Sequence, residues 1–417
     1  MNITSIIAFL FVFGVIVTVH EFGHFIVAKK SGVLVREFAI GMGPKLLSWN
    51  RNHTAYTIRI LPVGGYVRMA GMDEEPDLDA GQRLRLTLDA QGKVTKLDTR
   101  VDEAGIGLPF QVDSFDLTDA LTLTGYLNNE SEMTIISVHH DATIIEENGV
   151  EVQVAPRDVW LQSTVVWKRI LINIAGPIMN FLLALIVFSG LGLTISSVSL
   201  NEPVVGTVQK NMPAERAGLK SGDKITAING VTTGTWNKVA NEISSSNEKQ
   251  LIVSILRDGN KKQVEVTPKT VKINGVKTNQ IGIVELTHTD ILSRLKYGLI
   301  NTGATVGRIW YALTHLFTGG FSLDKLGGPV SIAKTTSSVA KTGFLNILVF
   351  MAMLSVNLGI MNLIPIPALD GGKIILNLLE AILRRPLPQS FESGVTVVGA
   401  VFMIILMIAV TVNDILR

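Results

Sequence analysis

The chain has 417 residues, 47% of them hydrophobic and 17% charged, with a mean hydropathy of +0.38. Length alone would allow about three soluble domains, but a chain this apolar reads as a membrane protein. The 37 basic and 35 acidic side chains leave a net charge of +2, which gives no excess for nucleic acid, and with no cysteine any metal must be held by His, Asp or Glu.

Four stretches are long and apolar enough to cross about 30 Å of hydrocarbon as helix. They run from Asn2 to about Ala28, from Ile170 to about Val198, from Thr342 to Leu369 and from Ser393 to about Asn413. The first lacks a basic leader and a small-residue cleavage site, and its apolar pattern continues through two histidines, so it is expected to be a retained span rather than a signal peptide. Lys29, Lys30, Arg36 and Lys45 follow the first span, Arg157, Lys168 and Arg169 precede the second, and Arg384 and Arg385 separate the third from the fourth. The positive-inside rule puts these clusters in the cytoplasm and both termini outside, against the opposing lysines Lys325, Lys334 and Lys341. The chain is therefore expected to be a multi-pass membrane protein with the Lys29 to Arg169 region inside and 200–341 outside.

Between Val33 and Met69, alternating β-branched and aromatic residues broken by Gly41, Gly43, Pro44 and Gly64-Gly65 predict a hairpin sheet against or within the cytoplasmic face of the membrane. From Asp73 to Arg157 the chain is charged, with alternating pieces such as Arg83 to Leu88, and predicts a small β-rich cytoplasmic insertion. Residues 203 to 269 predict a compact α+β unit with one helix near Trp236 to Ser244. Within it, AERAGLKSGDKITAING, Ala214 to Gly230, resembles bacterial PDZ domains, which bind an extended peptide by adding a strand to a sheet edge.

The chemistry starts at HEFGH, His20 to His24. Positions i and i+4 of a helix share a face, so both imidazoles can reach one metal while Glu21 stands beside it. Ionisable groups in an apolar span are costly, at about 2.5 kcal/mol or more for a carboxylate near mid-membrane, and mark function rather than filler. A catalytic zinc needs a third protein ligand and an open position. The histidines His53, His139, His140, His288 and His315 lie outside the spans and are expected on surfaces or loops. The better candidate is Asp370 in NLIPIPALDGG, Asn362 to Gly372, where Pro365 and Pro367 break an apolar helix. With the first helix starting near Ile6, a rise of about 1.5 Å per residue puts His20 and His24 close to the cytoplasmic face, where the third span, ending at Asp370, also arrives.

Together these motifs resemble the bacterial site-2 proteases, intramembrane zinc metalloproteases of the type that regulate envelope-stress sigma factors. The likeness rests on HEFGH, AIGMGPKLLSW, LPVGGYVRM, AGPIMNF from Ala175 to Phe181, the PDZ-like unit, LGGPVSIA from Leu326 to Ala333, and NLIPIPALDGG. It implies Zn2+ held by His20, His24 and Asp370, and Glu21 as catalytic base. It implies further that Asn362 holds the substrate backbone and that the Gly64, Gly65, Tyr66 edge presents the substrate as an added strand. The implied substrates are single-span membrane proteins: anti-sigma factors, signal-peptide remnants or pheromone precursors. The chain differs from the best-known proteobacterial members in having one recognisable PDZ unit and in the length of its insertion.

The expected fold class is a polytopic α-helical membrane protein with about four transmembrane helices, a membrane-associated β-hairpin sheet and one extracytoplasmic PDZ-like α+β domain. Its divisions are the first helix at 1–29, the sheet at 30–72, the insertion at 73–168, the second helix at 169–199, the PDZ-like domain at 200–288, an amphipathic region at 289–341, the third helix at 342–383 and the fourth at 392–417. A transporter would call for inverted repeats with paired broken helices, and only one broken span is present. A catalytically silent scaffold would call for a damaged HExxH or LDG, and both are intact.

Overall fold

The computed structural model describes residues 3–71, 78–100, 107–128, 132–146, 151–246, 249–273, 276–318 and 327–416. Asp73, where the insertion was expected to begin, and Lys325 and Leu326 lie outside the described residues. The chain divides into two compact units, one of Met1–Leu183 with Ile309–Arg417 and one of Ala184–Arg308.

The first unit opens with α1 (Ile3–Ser31) and the long strands β1 (Val35–Arg51) and β2 (Thr54–Met69). Asn52 and His53, both at positive φ, make the two-residue turn between the strands, as a tight hairpin requires. Ala39 pairs with both Tyr66 and Thr57, so the first half of β1 is an inner strand and the end of β2 runs along an edge. Phe25 and Ala28 of α1, Val35 and Phe38 of β1 and Ile172 form the core that fixes this sheet to the helices. The hairpin's far end is clothed in exposed apolar side chains, among them Met42, Leu46, Leu47, Ile60 and Leu61.

Next come β3 (Arg83–Leu88), β4 (Val94–Asp98), β5 (Leu108–Asp116), β6 (Thr122–Leu127), β7 (Met133–Ile145) and β8 (Glu151–Gln153). They form one sheet in the order β4-β3-β5-β6-β7-β8, and an additional parallel pairing of β4 with β7 curls it closed. Leu86, Val94, Leu97, Val112 and Leu123 fill its interior.

The long helix α2 (Val166–Thr194) follows. The second unit contains β9 (Val198–Ser199), β10 (Val205–Val208), α3 (Pro213–Arg216), β11 (Lys224–Ile228), β12 (Val231–Thr232) and α4 (Trp236–Ser244). It continues through β13 (Leu251–Arg257), β14 (Asn260–Val266), β15 (Lys269–Ile273), β16 (Val276–Gln280), β17 (Ile283–Glu285) and β18 (Thr287–His288). Its main sheet is β12-β11-β13-β14, and α4 packs Val239 and Ile243 onto Ile225, Ile228 and Val253. Thr235 caps α4 by accepting from the Lys238 amide, which satisfies one of the helix's free donors.

The remaining helices are α5 (Ile291–Thr318), α6 (Pro329–Ala340), α7 (Phe344–Leu363), α8 (Asp370–Leu383) and α9 (Gln389–Leu416). Among the described residues four helices, α1, α2, α7 and α9, are long and apolar enough to cross a membrane. In the third expected span, read to Leu369 within the division 342–383, the helix breaks around the two prolines as expected. It stops at Leu363, the backbone turns extended at Ile364, and a new helix starts at Asp370. Pro365 and Pro367 lack the amide hydrogens a helix needs there. Of the histidines expected on surfaces or loops, His53 is exposed in the hairpin turn and His315 is exposed on α5, while His139 and His140 on β7 and His288 on β18 are half-buried, all outside the four apolar helices.

Candidate metal centre

His20 and His24 lie one turn apart on α1 and are buried, as is Asp370 at the first position of α8. Asp370 reaches them because of the glycines that follow it. A β-carbon on Gly371 would overlap the Ile364 carbonyl oxygen, and one on Gly372 the Ile366 carbonyl oxygen. Only the bare backbone of Gly371-Gly372 lets the first turn of α8 press against the segment between α7 and α8, and this close packing sets the carboxylate.

Three atoms converge. His20 Nε2 is 3.2 Å and His24 Nε2 is 3.4 Å from Asp370 Oδ2, and the two Nε2 atoms are 3.2 Å apart. A tetrahedral zinc bound at about 2.0–2.1 Å separates its ligands by about 3.3 Å, so the three atoms fit that ion. The chemistry of the donors agrees. Asp370 Oδ2 is buried without a hydrogen-bond donor. His24 Nδ1 donates to the Ile172 carbonyl at 2.7 Å, so its Nε2 keeps a lone pair facing the other two atoms. Among the described residues, these three are the group of His, Asp and Glu side chains arranged to hold a metal ion.

Helix α2 supplies the wall behind the imidazoles through Ile172, Gly176 and Asn180, spaced four apart on one face. A β-carbon on Gly176 would overlap His24 Nε2 and stand 2.8 Å from His20 Cε1. Asn180 is fully buried and places its carboxamide 3.0 Å from His20 Nδ1. Within the sequence Ala175 to Phe181 neither residue carries an evident task. A glycine and an asparagine four apart in an otherwise apolar span were the available signal.

The other expected site residues divide. Gly65 sits beside Glu21, since a β-carbon there would lie 3.6 Å from Glu21 Cγ. Tyr66 is committed to the sheet: its hydroxyl donates to Glu37 Oε2 at 2.8 Å and accepts from Arg59 Nη2 at 2.6 Å. Burial raises the Glu37 carboxyl pKa, but hydrogen bonds from Thr57, Arg59 and Tyr66 outweigh it and hold the group below its ordinary value. Gly64 is at positive φ and faces Met42. Asn362 lies half-buried in the last turn of α7, and the structure does not bring it into hydrogen-bond contact with the three ligand atoms.

The family model for Peptidase family M50 matches residues 8–406. "Probable protease eep" of Enterococcus faecalis is 44% identical over 418 residues, covering 99% of each chain. "Regulator of sigma-W protease RasP" of Bacillus subtilis is 41% identical over 421 residues, covering 100% of this chain and 99% of its own. A solved structure, the PDZ domain of the SdrC-like protein from Listeria monocytogenes, is 22% identical over 21% of this chain and 92% of its own, with a TM-score of 0.19, too low to establish a shared fold. A converged His-His-Asp site, a glutamate beside it and a match along nearly the whole length lead to one conclusion: the chain belongs to peptidase family M50, the site-2 zinc metalloproteases.

Proposed function

We propose that this protein cleaves peptide bonds inside the transmembrane segments of single-span membrane proteins. The observation that carries the proposal is a buried metal-ligand triad, two histidines of α1 and Asp370 of α8, whose histidines sit on a helix long and apolar enough to cross a membrane. Charged side chains at such depth persist where they do chemistry.

His20, His24 and Asp370 hold the zinc. When bound, zinc polarises a carbonyl and makes water more acidic. Glu21, next to His20 and facing the Gly65 edge, takes the proton from the attacking water and passes it to the leaving amine, a transfer worth typically about 10²–10⁴-fold in rate. A substrate helix hides its peptide bonds in its own hydrogen-bond ladder and must unwind before it can be cut. Residues 65–69 pair with β1 on one side, and no strand pairs with their other side among the described residues. That free edge is the proposed seat for the unwound substrate, with Gly64, Gly65 and Tyr66 presenting backbone donors and acceptors and Asn362 holding the substrate backbone.

His20 and His24 lie about 26 and 32 Å along α1 from Ile3, at about 1.5 Å per residue, which supports a site near the cytoplasmic face. The exposed apolar end of the β1–β2 hairpin supports its contact with lipid, and the basic clusters support a cytoplasmic insertion and a second unit outside. In that unit a groove of about 310 Å³ between α4 and residues 278–283, lined by Trp236, Val239, Ala240, Ile281 and Ile283, suits an extended peptide and supports the PDZ-like assignment. The name of the Bacillus subtilis relative supports a substrate that restrains a sigma factor. Signal-peptide remnants and pheromone precursors share the required single apolar span.

The test is cleavage of a tagged single-span substrate by purified protein in detergent, comparing wild type with Glu21→Gln and with metal-stripped enzyme. Cutting within the span by wild type alone supports the proposal. Cutting only outside the span, or full activity in Glu21→Gln, overturns it.

A further inference from the structure

We infer that Asn180 is a positioning residue for the metal ligand His20, accepting a hydrogen bond from His20 Nδ1–H and so turning Nε2 toward the metal. The inference rests on the zinc-protease reading of the site and adds a residue to it. A histidine that binds metal through Nε2 must carry its proton on Nδ1, and that proton needs an acceptor to fix the ring. For His24 the acceptor is the Ile172 carbonyl. For His20 the group within reach is the Asn180 carboxamide, 3.0 Å from Nδ1.

As placed, the carboxamide nitrogen faces His20 and the oxygen is buried without a partner. The two ends of a carboxamide are nearly the same size and exchange by a half-turn. One end stays unpaired in either orientation, so the proton on His20 decides between them. Once Nε2 faces the metal, the oxygen must face Nδ1. The side chain is well braced for this task. Asn180 is wholly buried, and its backbone carbonyl accepts from Ser355 Oγ of α7 at 2.8 Å. Gly359 of α7 closes over it, since a β-carbon at Gly359 would lie 3.4 Å from Asn180 Cβ. The carboxamide therefore ties the packing of α2 and α7 to the orientation of a ligand on α1.

The experiment measures zinc affinity of the purified full-length protein in detergent, by competition with a chelator, for wild type, Asn180→Leu and Asn180→Asp. Loss of such a supporting partner typically weakens metal binding by about 10–100-fold, which is the expected result for Asn180→Leu. Asn180→Asp keeps an acceptor at the same place and is expected to hold zinc at least as tightly as wild type. Leucine keeps the branched shape of the side chain but offers no acceptor, so a role confined to packing would leave Asn180→Leu close to wild type. Wild-type affinity in Asn180→Leu, or equal weakening in both variants, overturns the inference. Should Asn180→Leu fail to fold by helix content and gel filtration, Asn180→Ala is read by the same criteria. If wild type itself binds no zinc, the metal reading and this inference fall together; if wild type binds zinc and Asn180→Leu matches it, only this inference falls.

Discussion

Gly176→Ala adds a single methyl group at the wall of the metal site. The new carbon would overlap His24 Nε2 and stand 2.7 Å from His24 Cε1 and 2.8 Å from His20 Cε1. Carbon atoms rest at about 3.5 Å or more, so each ring must retreat by about 0.7–0.8 Å or α2 must move by a similar distance. The rings cannot simply swing away: His24 is held by the Ile172 carbonyl and His20 lies against Asn180. Overpacking of this size costs about 1–3 kcal/mol of stability, and a misplacement approaching 1 Å at a reacting centre costs about 100-fold in rate. The expected result is a fall in kcat/KM of that order for a single-span substrate in detergent, with weaker zinc binding and unchanged helix content. Gly190→Ala is the control, since it lies on the same helix with nothing within 4 Å of its β-carbon. There alanine should be neutral or stabilise by up to about 1 kcal/mol. Full activity and full zinc content in Gly176→Ala would refute the close approach of α2 to the two imidazoles.

Strand addition is best tested at Val67→Pro, because Gly65 has its own constraint: a β-carbon there would stand 2.8 Å from the Ala39 carbonyl oxygen. Val67→Pro is expected to slow cleavage of helical substrates while zinc binding is retained; unchanged cleavage would count against the edge. In the second unit, Asp223 is wholly buried and paired with Arg257 at 2.6 Å. Burial raises the Asp223 pKa, but hydrogen bonds from Arg257 and the Lys220 amide outweigh it and hold it below its ordinary value. Its contribution to stability is therefore complete above about pH 4, the unfolded value, and is lost as pH falls through the lower folded value. Asp223→Asn should cost roughly 3–5 kcal/mol at pH 7, with the gap to wild type narrowing in acid, as thermal unfolding followed by circular dichroism would show. Asp414 of α9 accepts from the Ser331 amide at 2.9 Å and so caps α6, where Gly328 leaves room for the carboxylate. Asp414→Ala should lower the unfolding midpoint by the equivalent of about 0.5–2 kcal/mol, and no change would deny it a capping role.

Much of this protein is written locally. Hydropathy along the chain marks the four apolar helices, because a span is a property of about 20 consecutive residues. The HEFGH spacing places two imidazoles on one helix face without reference to anything distant. The hairpin turn at Asn52-His53 and the helix Trp236–Ser244 are likewise set by neighbours in sequence. The two prolines after Leu363 announce the break at which α7 ends. What closes the site is not local. Asp370 reaches the histidines because Gly371 and Gly372 let α8 restart against the backbone just before it. Gly176 and Asn180 matter because α2 lies against α1, and no pattern within Ala175 to Phe181 says which ring each would meet. Sequence fixes spacing along a helix through bond geometry, whereas contacts between helices depend on which side chains interlock across the interface. The chain by itself therefore determined the chemistry it carries, and the packing of α1, α2 and α8 decided how three ligand atoms come within 3.2 to 3.4 Å of one another.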